Sequence, residues 1–239
     1  MKRSYWILRL LILLFGLQLS VCMSGQNKAS FNIQFDISGS NDSLLFLVSY
    51  YGDKTILIDT SIADSHSSFV FQGDSLLPEG MYIIAGEKKN RILEFLIGKD
   101  QDFSIKTDID KPVENITVNG SKENKLFFHM IKYMGEKQEE LQALLTKKKK
   151  LKDADSIEVV DRSITAINDE VGKYRKELIE RHEDCFISAF LKGSMEPEIP
   201  DFNTNNSEED IAGQKYRYYK NHYWDNIDLG ELGVFPTKV

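Results

Sequence analysis

Apolar and polar positions alternate strictly over residues 31–37, Phe-Asn-Ile-Gln-Phe-Asp-Ile. This period of two predicts a half-buried strand with Phe31, Ile33, Phe35 and Ile37 pointing inward. Ser-Gly-Ser-Asn-Asp at 38–42 is turn chemistry. Further strands are expected at 44–51, 55–62, 69–71, 81–85, 92–97, 103–107 and 116–118. Turn signals separate them: Gly52-Asp53, the serine-rich 65–68, Pro78-Glu79-Gly80, 88–90 and 98–101. About eight short strands with no helix among them predict an antiparallel sandwich or barrel over 27–119. Aromatic residues at alternating positions suit a core between two facing sheets.

After Asn119-Gly120-Ser121 the period changes. Ile157, Val160, Ile164, Ile167, Val171, Tyr174 and Leu178 recur at alternating spacings of three and four, which places seven apolar side chains on one helical seam. A seam that narrow needs a partner helix. Leu126, Met130, Tyr133, Lys137, Leu141, Leu144 and Leu151 supply one, with Lys137 the single polar break. The polar stretch 147–155 between the stripes is the turn. Residues 121–182 therefore predict a long antiparallel helical hairpin, with Ser121 as N-cap of the first helix and the second helix starting near Ser156.

A short helical annex follows, within 183–228. A helix over 186–191 should stop at Lys192-Gly193. Pro197 and Pro200 then force an extended segment. Ser207 should cap a last helix with Glu208, Glu209 and Asp210 in its first turn, where the helix dipole favours anions. That helix carries Tyr216, Tyr218, Tyr219, Tyr223 and Trp224. The expected class is α+β: a signal segment (1–25), a β-sandwich or barrel (27–119), and an α-helical region (121–239).

Composition changes this picture only at the edges. The 239 residues are 41% apolar and 28% charged, enough for a sizeable core, and the formal charge is -7. An acidic chain has no sustained basic surface with which to release counterions, so a nucleic-acid partner is not expected. The basic run 147–150 falls at the hairpin tip, a solvated turn. At the N-terminus, Lys2 and Arg3 precede a largely apolar stretch, and Ser24 and Gly25 offer small cleavage positions. The uninterrupted apolar core, 10–17, is short for a membrane span. Export to the periplasm or cell envelope is the expectation. Two ends to the signal are readable. Leu19-Ser20-Val21-Cys22 is similar to a bacterial lipobox, which makes Cys22 a candidate lipid-attachment residue, although Val21 stands where a small residue belongs. Ordinary cleavage near Ser24 or Gly25 is the other. Membrane contact would come only through such a lipid anchor.

No catalytic, cofactor-binding or metal-binding constellation emerges. His66, His129, His182 and His222 are scattered, without the short spacing of a zinc site. His182-Glu183-Asp184-Cys185 brings ligand types together, but at a helix end with no second cluster. Cys185 as a nucleophile would need a base and an electropositive pocket, and Glu183 and Asp184 have the wrong sign. A buried structural cysteine is the expectation. Tyr219, Tyr223 and Trp224 form a candidate binding surface for sugar or peptide, or else pack against the hairpin.

Several local patterns occur in sequence: Tyr50-Tyr51-Gly52, Leu57-Ile58-Asp59-Thr60, Gly80-Met81-Tyr82, Asp102-Phe103-Ser104-Ile105 and Gly120-Ser121-x-x-Asn124. Phe190-Leu191-Lys192, the 196–200 segment, and the Tyr219–Tyr223 and Asp225–Asp228 stretches follow. With the order of signal, small β-domain, helical hairpin and tyrosine-rich helix, these patterns resemble the N-terminal half of exported thiol–disulfide interchange proteins. The resemblance is to the TlpA/ResA type of Bacteroidetes-like bacteria. It implies a non-catalytic accessory or scaffolding module that precedes a thioredoxin-like domain bearing a redox cysteine pair. No Cys-x-x-Cys occurs here, and 229–239 departs from the expected continuation, so a truncated member is expected and no redox role passes to any residue. The implied partners are an envelope protein or the missing thioredoxin-like domain. The alternative is a standalone envelope binding protein for a glycan or peptide.

Overall fold

A computed structural model describes residues 30–52, 54–64, 68–202 and 208–226. The signal segment with Cys22, the turn residues Asp53 and His66, the cap Ser207 and the ending after Asn226 lie outside the described residues.

The strands are β1 (Phe31–Ser38), β2 (Leu44–Tyr51), β3 (Lys54–Ile62), β4 (Ser68–Gly73), β5 (Gly80–Gly86), β6 (Arg91–Ile97), β7 (Asp102–Asp108) and β8 (Thr117–Asn119). They form two four-stranded sheets, in the orders β4-β1-β7-β8 and β3-β2-β5-β6. The fold is an α+β sandwich with appended helices, and the alternation read from 31–37 holds: Phe31, Ile33, Phe35 and Ile37 are all buried. One pairing departs from the antiparallel expectation. β1 pairs β4 antiparallel but β7 in parallel, Phe35 opposite Ile105. Alternation reports which side chains face inward and is blind to strand direction, so this could not be read from the pattern.

Aromatic rings join the sheets. Phe35 of the first sheet meets Phe95 of the second edge-on at 5.1 Å and Phe71 of its own sheet at 6.1 Å. Fully burying such a side chain contributes about 1.5–3 kcal/mol. Tyr82 carries its hydroxyl into this core and donates it to the Pro78 carbonyl at 2.8 Å. Burial pushes that phenol up to about 12.

The helices are α1 (Lys122–Lys148), α2 (Ala154–Arg181), α3 (Phe186–Ser194) and α4 (Glu208–His222). α1 and α2 form the expected hairpin, each about 40 Å long at 1.5 Å per residue. Ser121 caps α1 by accepting the Asn124 N–H, and Asp153 caps α2 by accepting the Ser156 N–H. All seven residues of the second stripe are buried or half-buried. Lys137, the polar break, reaches across the seam to Glu170 at 3.1 Å and along its own helix to Glu140 at 3.3 Å. Tyr133 and Tyr174 stack at 4.2 Å, and His129 shares a hydrogen bond with the Tyr174 hydroxyl at 2.9 Å. α3 runs past the expected stop at Gly193 to Ser194.

The base of the hairpin is part of the sandwich core. Phe127, Phe128, Met130, Leu178, Ile179, Phe186 and Ile187 belong to one continuous apolar cluster with the strand residues. Farther out along the hairpin, Val160 is the only fully buried residue of either helix among the described residues.

Candidate functional site

The polar groups that converge most closely are at the joint between sandwich and helices. Gly120 turns the chain there with φ +86°, and a Cβ at that position would lie 2.5 Å from the Asp102 carbonyl oxygen, so only glycine fits. The turn aims the first residues of α1 at β6. Asn124, fully buried, pairs with Leu96 as a neighbouring strand would. Its Oδ1 accepts the Leu96 N–H at 2.8 Å and its Nδ2 donates to the Leu96 carbonyl at 2.7 Å. The same Nδ2 lies 3.1 Å from the Ser121 hydroxyl.

Glu123 performs a second closure. Its two carboxylate oxygens accept the backbone N–H groups of Phe186 and Ile187, at 2.8 and 3.1 Å. Those are orphan donors at the start of α3, whose N-cap residue Cys185 makes no side-chain cap bond. A carboxylate more than sixty residues away in sequence therefore caps α3, where the helix dipole also favours negative charge. Gly98 makes room for it: a Cβ there would lie 2.6 Å from Glu123 Cγ.

Cys185 sits inside this joint and is buried, as the sequence suggested. Burial pushes its thiol up and the Glu123 carboxylate adds to the effect, against the opposing pull of Lys122. The protonated thiol is thereby favoured, the less nucleophilic form. Lys122 pairs with Asp184 at 3.4 Å and Lys99 donates to the Asp184 carbonyl at 3.1 Å, so the turn between α2 and α3 is tied to both layers.

The predicted aromatic surface is elsewhere. Tyr219, Tyr223 and Trp224 are brought together with Tyr216 and Lys220 around an open depression of about 300 Å³. Tyr223 and Trp224 meet edge-on at 5.0 Å, and they are 42% and 53% exposed. Tyr223 and Trp224, expected on the last helix, both lie past the end of α4, in the turn that follows. The helix is held from its other side, through Tyr218 against Phe202 and an Asn226 hydrogen bond to the Met195 carbonyl.

The described histidines do not converge. His129 meets Tyr174, His222 pairs with Asp225 at 2.6 Å, and His182 sits in the turn before Cys185. Among the described residues no three His, Cys, Asp or Glu side chains are grouped to hold a metal ion, and no helix is long and apolar enough to cross a membrane.

Sequence reasoning found Ser121 as a cap and singled out Asn124 in a motif, but it missed the role of Glu123. The available signal was Cys185 at a helix start with no capping acceptor of its own, which implies that the acceptor comes from elsewhere in the fold.

Residues 31–127 match a family model described as "Domain of unknown function (DUF4369)". The matched span holds all eight strands and ends at Phe127, so Gly120, Ser121, Glu123 and Asn124 fall within it. No curated protein and no solved structure matches the chain.

Proposed function

We propose that this chain is a non-catalytic, exported accessory module that holds or presents a partner, similar to the N-terminal half of a thiol–disulfide interchange protein. The joint is the observation that supports this reading. Glu123 and Asn124 give their polar atoms to backbone groups of α3 and β6, so the most buried polar cluster fastens a β-layer to a helical arm. Cys185, the free thiol among the described residues, is buried in the same joint with its protonated form favoured. Such a body suits holding a partner at a set distance, whether an envelope protein or a thioredoxin-like domain.

The test is a disulfide-reduction assay on insulin with dithiothreitol, comparing the purified protein with Cys185→Ser. Both should match the rate without protein. A thiol-dependent turnover that disappears in the variant would overturn the reading. The N-terminus of the same protein isolated from cell envelopes tests export: a start near residue 26 or at lipid-modified Cys22 supports it, and an intact Met1 opposes it.

A second reading is favoured by the exposure of Tyr223 and Trp224 around their depression. Aromatic faces bind sugars and peptides by stacking, and an envelope binding protein for such a ligand would use this surface. Saturable binding on a glycan and peptide panel, weakened about tenfold or more by Tyr223→Ala or Trp224→Ala, is the expected result. A flat response across the panel would count against it.

A further inference from the structure

The sheet β3-β2-β5-β6 turns one face to the core, and its other face is unusually apolar. Leu45 and Leu47 of β2 point inward and are fully buried, so Phe46 and Val48 point outward. The register sets Val48 opposite Leu57 of β3 on one side and Ile83 of β5 on the other, and sets Phe46 opposite Ala85. These five side chains floor a groove of about 440 Å³ that crosses the strands. From β3 to the end at β6 it spans three strand spacings, about 14 Å. Leu57 marks one end and is 57% exposed.

The other end is cationic. Lys89 and Arg91 line it, in the turn between β5 and β6 and at the start of β6. Lys89 is held in the left-handed region, φ +59°, the one such non-glycine among the described residues. Its N–H donates to the Gly86 carbonyl at 2.8 Å, which fixes the turn. Strained backbone of this kind persists where the surroundings enforce it. Arg91 pairs with Glu94 at 2.5 Å, and Glu94 also accepts the Tyr50 hydroxyl. Arg91 is thus held by Glu94, and Lys89 is the cation at this end of the groove that no carboxylate among the described residues balances.

We propose that this groove is a binding site for a single-chain anionic amphiphile of the fatty-acid type. The acyl chain lies across Ala85, Ile83 and Val48 toward Leu57, and the carboxylate meets Lys89 and Arg91. The argument is the polarity along the groove: an apolar trough with cations at one end matches a molecule with a tail and an anionic head. A polypeptide strand would instead run along the strands at the β3 edge and leave the cationic end unused. The site lies on the sandwich, away from Cys185 and the α4 aromatics. It holds or fails independently of the proposed function.

The test is isothermal titration of the full purified chain with sodium decanoate, with decyltrimethylammonium as the cation of equal tail length. Decanoate should bind at least tenfold more tightly than the cation. Lys89→Glu should weaken decanoate at least tenfold and remove the preference for the anion. Leu57→Glu, at a largely exposed position, should also weaken decanoate severalfold with thermal unfolding unchanged. No decanoate binding, equal affinity for the two amphiphiles, or binding indifferent to both substitutions would overturn the proposal. Binding to anionic phospholipid vesicles without binding to free decanoate would also overturn it, in favour of a membrane surface.

Discussion

Asn124 shows how much a single side chain can do where two layers meet. Its amide satisfies both backbone groups of Leu96 from the first turn of a helix. Asn124→Leu keeps the volume roughly constant and removes both partners, leaving a buried N–H and a buried carbonyl unpaired. Each orphaned group costs about 1–3 kcal/mol, so urea unfolding should report a loss of about 2–6 kcal/mol for the two. A loss under about 1 kcal/mol would mean that β6 finds other partners, and the joint would not rest on this residue. The residue-scale site was half legible. Ser121 before an apolar stripe announces a helix start from local chemistry alone. The partner of Asn124 is 28 residues back, on a strand whose edge no local pattern identifies.

At the scale of elements, the hairpin is where sequence and structure agree best, because both of its determinants are local in period. The stripe at spacings of three and four makes the seam, and the break at Lys137 is resolved across it by Glu170. The Lys137 ammonium holds the Glu170 carboxyl below the ordinary glutamate value of 4.5, and the Tyr133 hydroxyl adds to this. A carboxylate with a depressed folded value contributes stability that is present above its unfolded value and lost as pH falls through the folded one. Thermal unfolding followed by helical circular dichroism should therefore decline from about pH 5 downward. Glu170→Gln should make that decline shallower while leaving the low-pH limit nearly unchanged. An identical slope in the variant would mean that solvent screening leaves this exposed pair without weight. The helix stop at Gly193 was misjudged for a related reason: one glycine in a last turn costs only about 1 kcal/mol, and the packing of Phe186, Ile187 and Leu191 outweighs it.

Across the whole molecule, one apolar cluster runs from the sandwich through the base of α1 and α2 into α3. The distal hairpin stands off from it with a half-buried seam. The aromatic turn after α4 and the apolar face of β3-β2-β5-β6 lie on different parts of the surface. This division suits a body whose centre is structural and whose contacts are peripheral. The matched span, 31–127, ends within α1 after Gly120, Ser121, Glu123 and Asn124, while the groups that Glu123 caps, at Phe186 and Ile187, lie beyond it.

Periodicity by itself determined the eight strands, the inward faces of β1, the two long helices and their seam. Each depends on side chains within a few residues of one another, where alternation or a 3.6-residue turn dictates which face is apolar. Tertiary structure decided the parallel pairing of β1 with β7, the capping of α3 by Glu123 and the pairing of Asn124 with β6. It also decided the convergence of Phe46, Val48, Leu57 and Ile83 beside Lys89. Each of these joins groups far apart in the chain, and strand direction and cross-strand register set their distances. Neither quantity leaves a trace in the local pattern of polar and apolar residues.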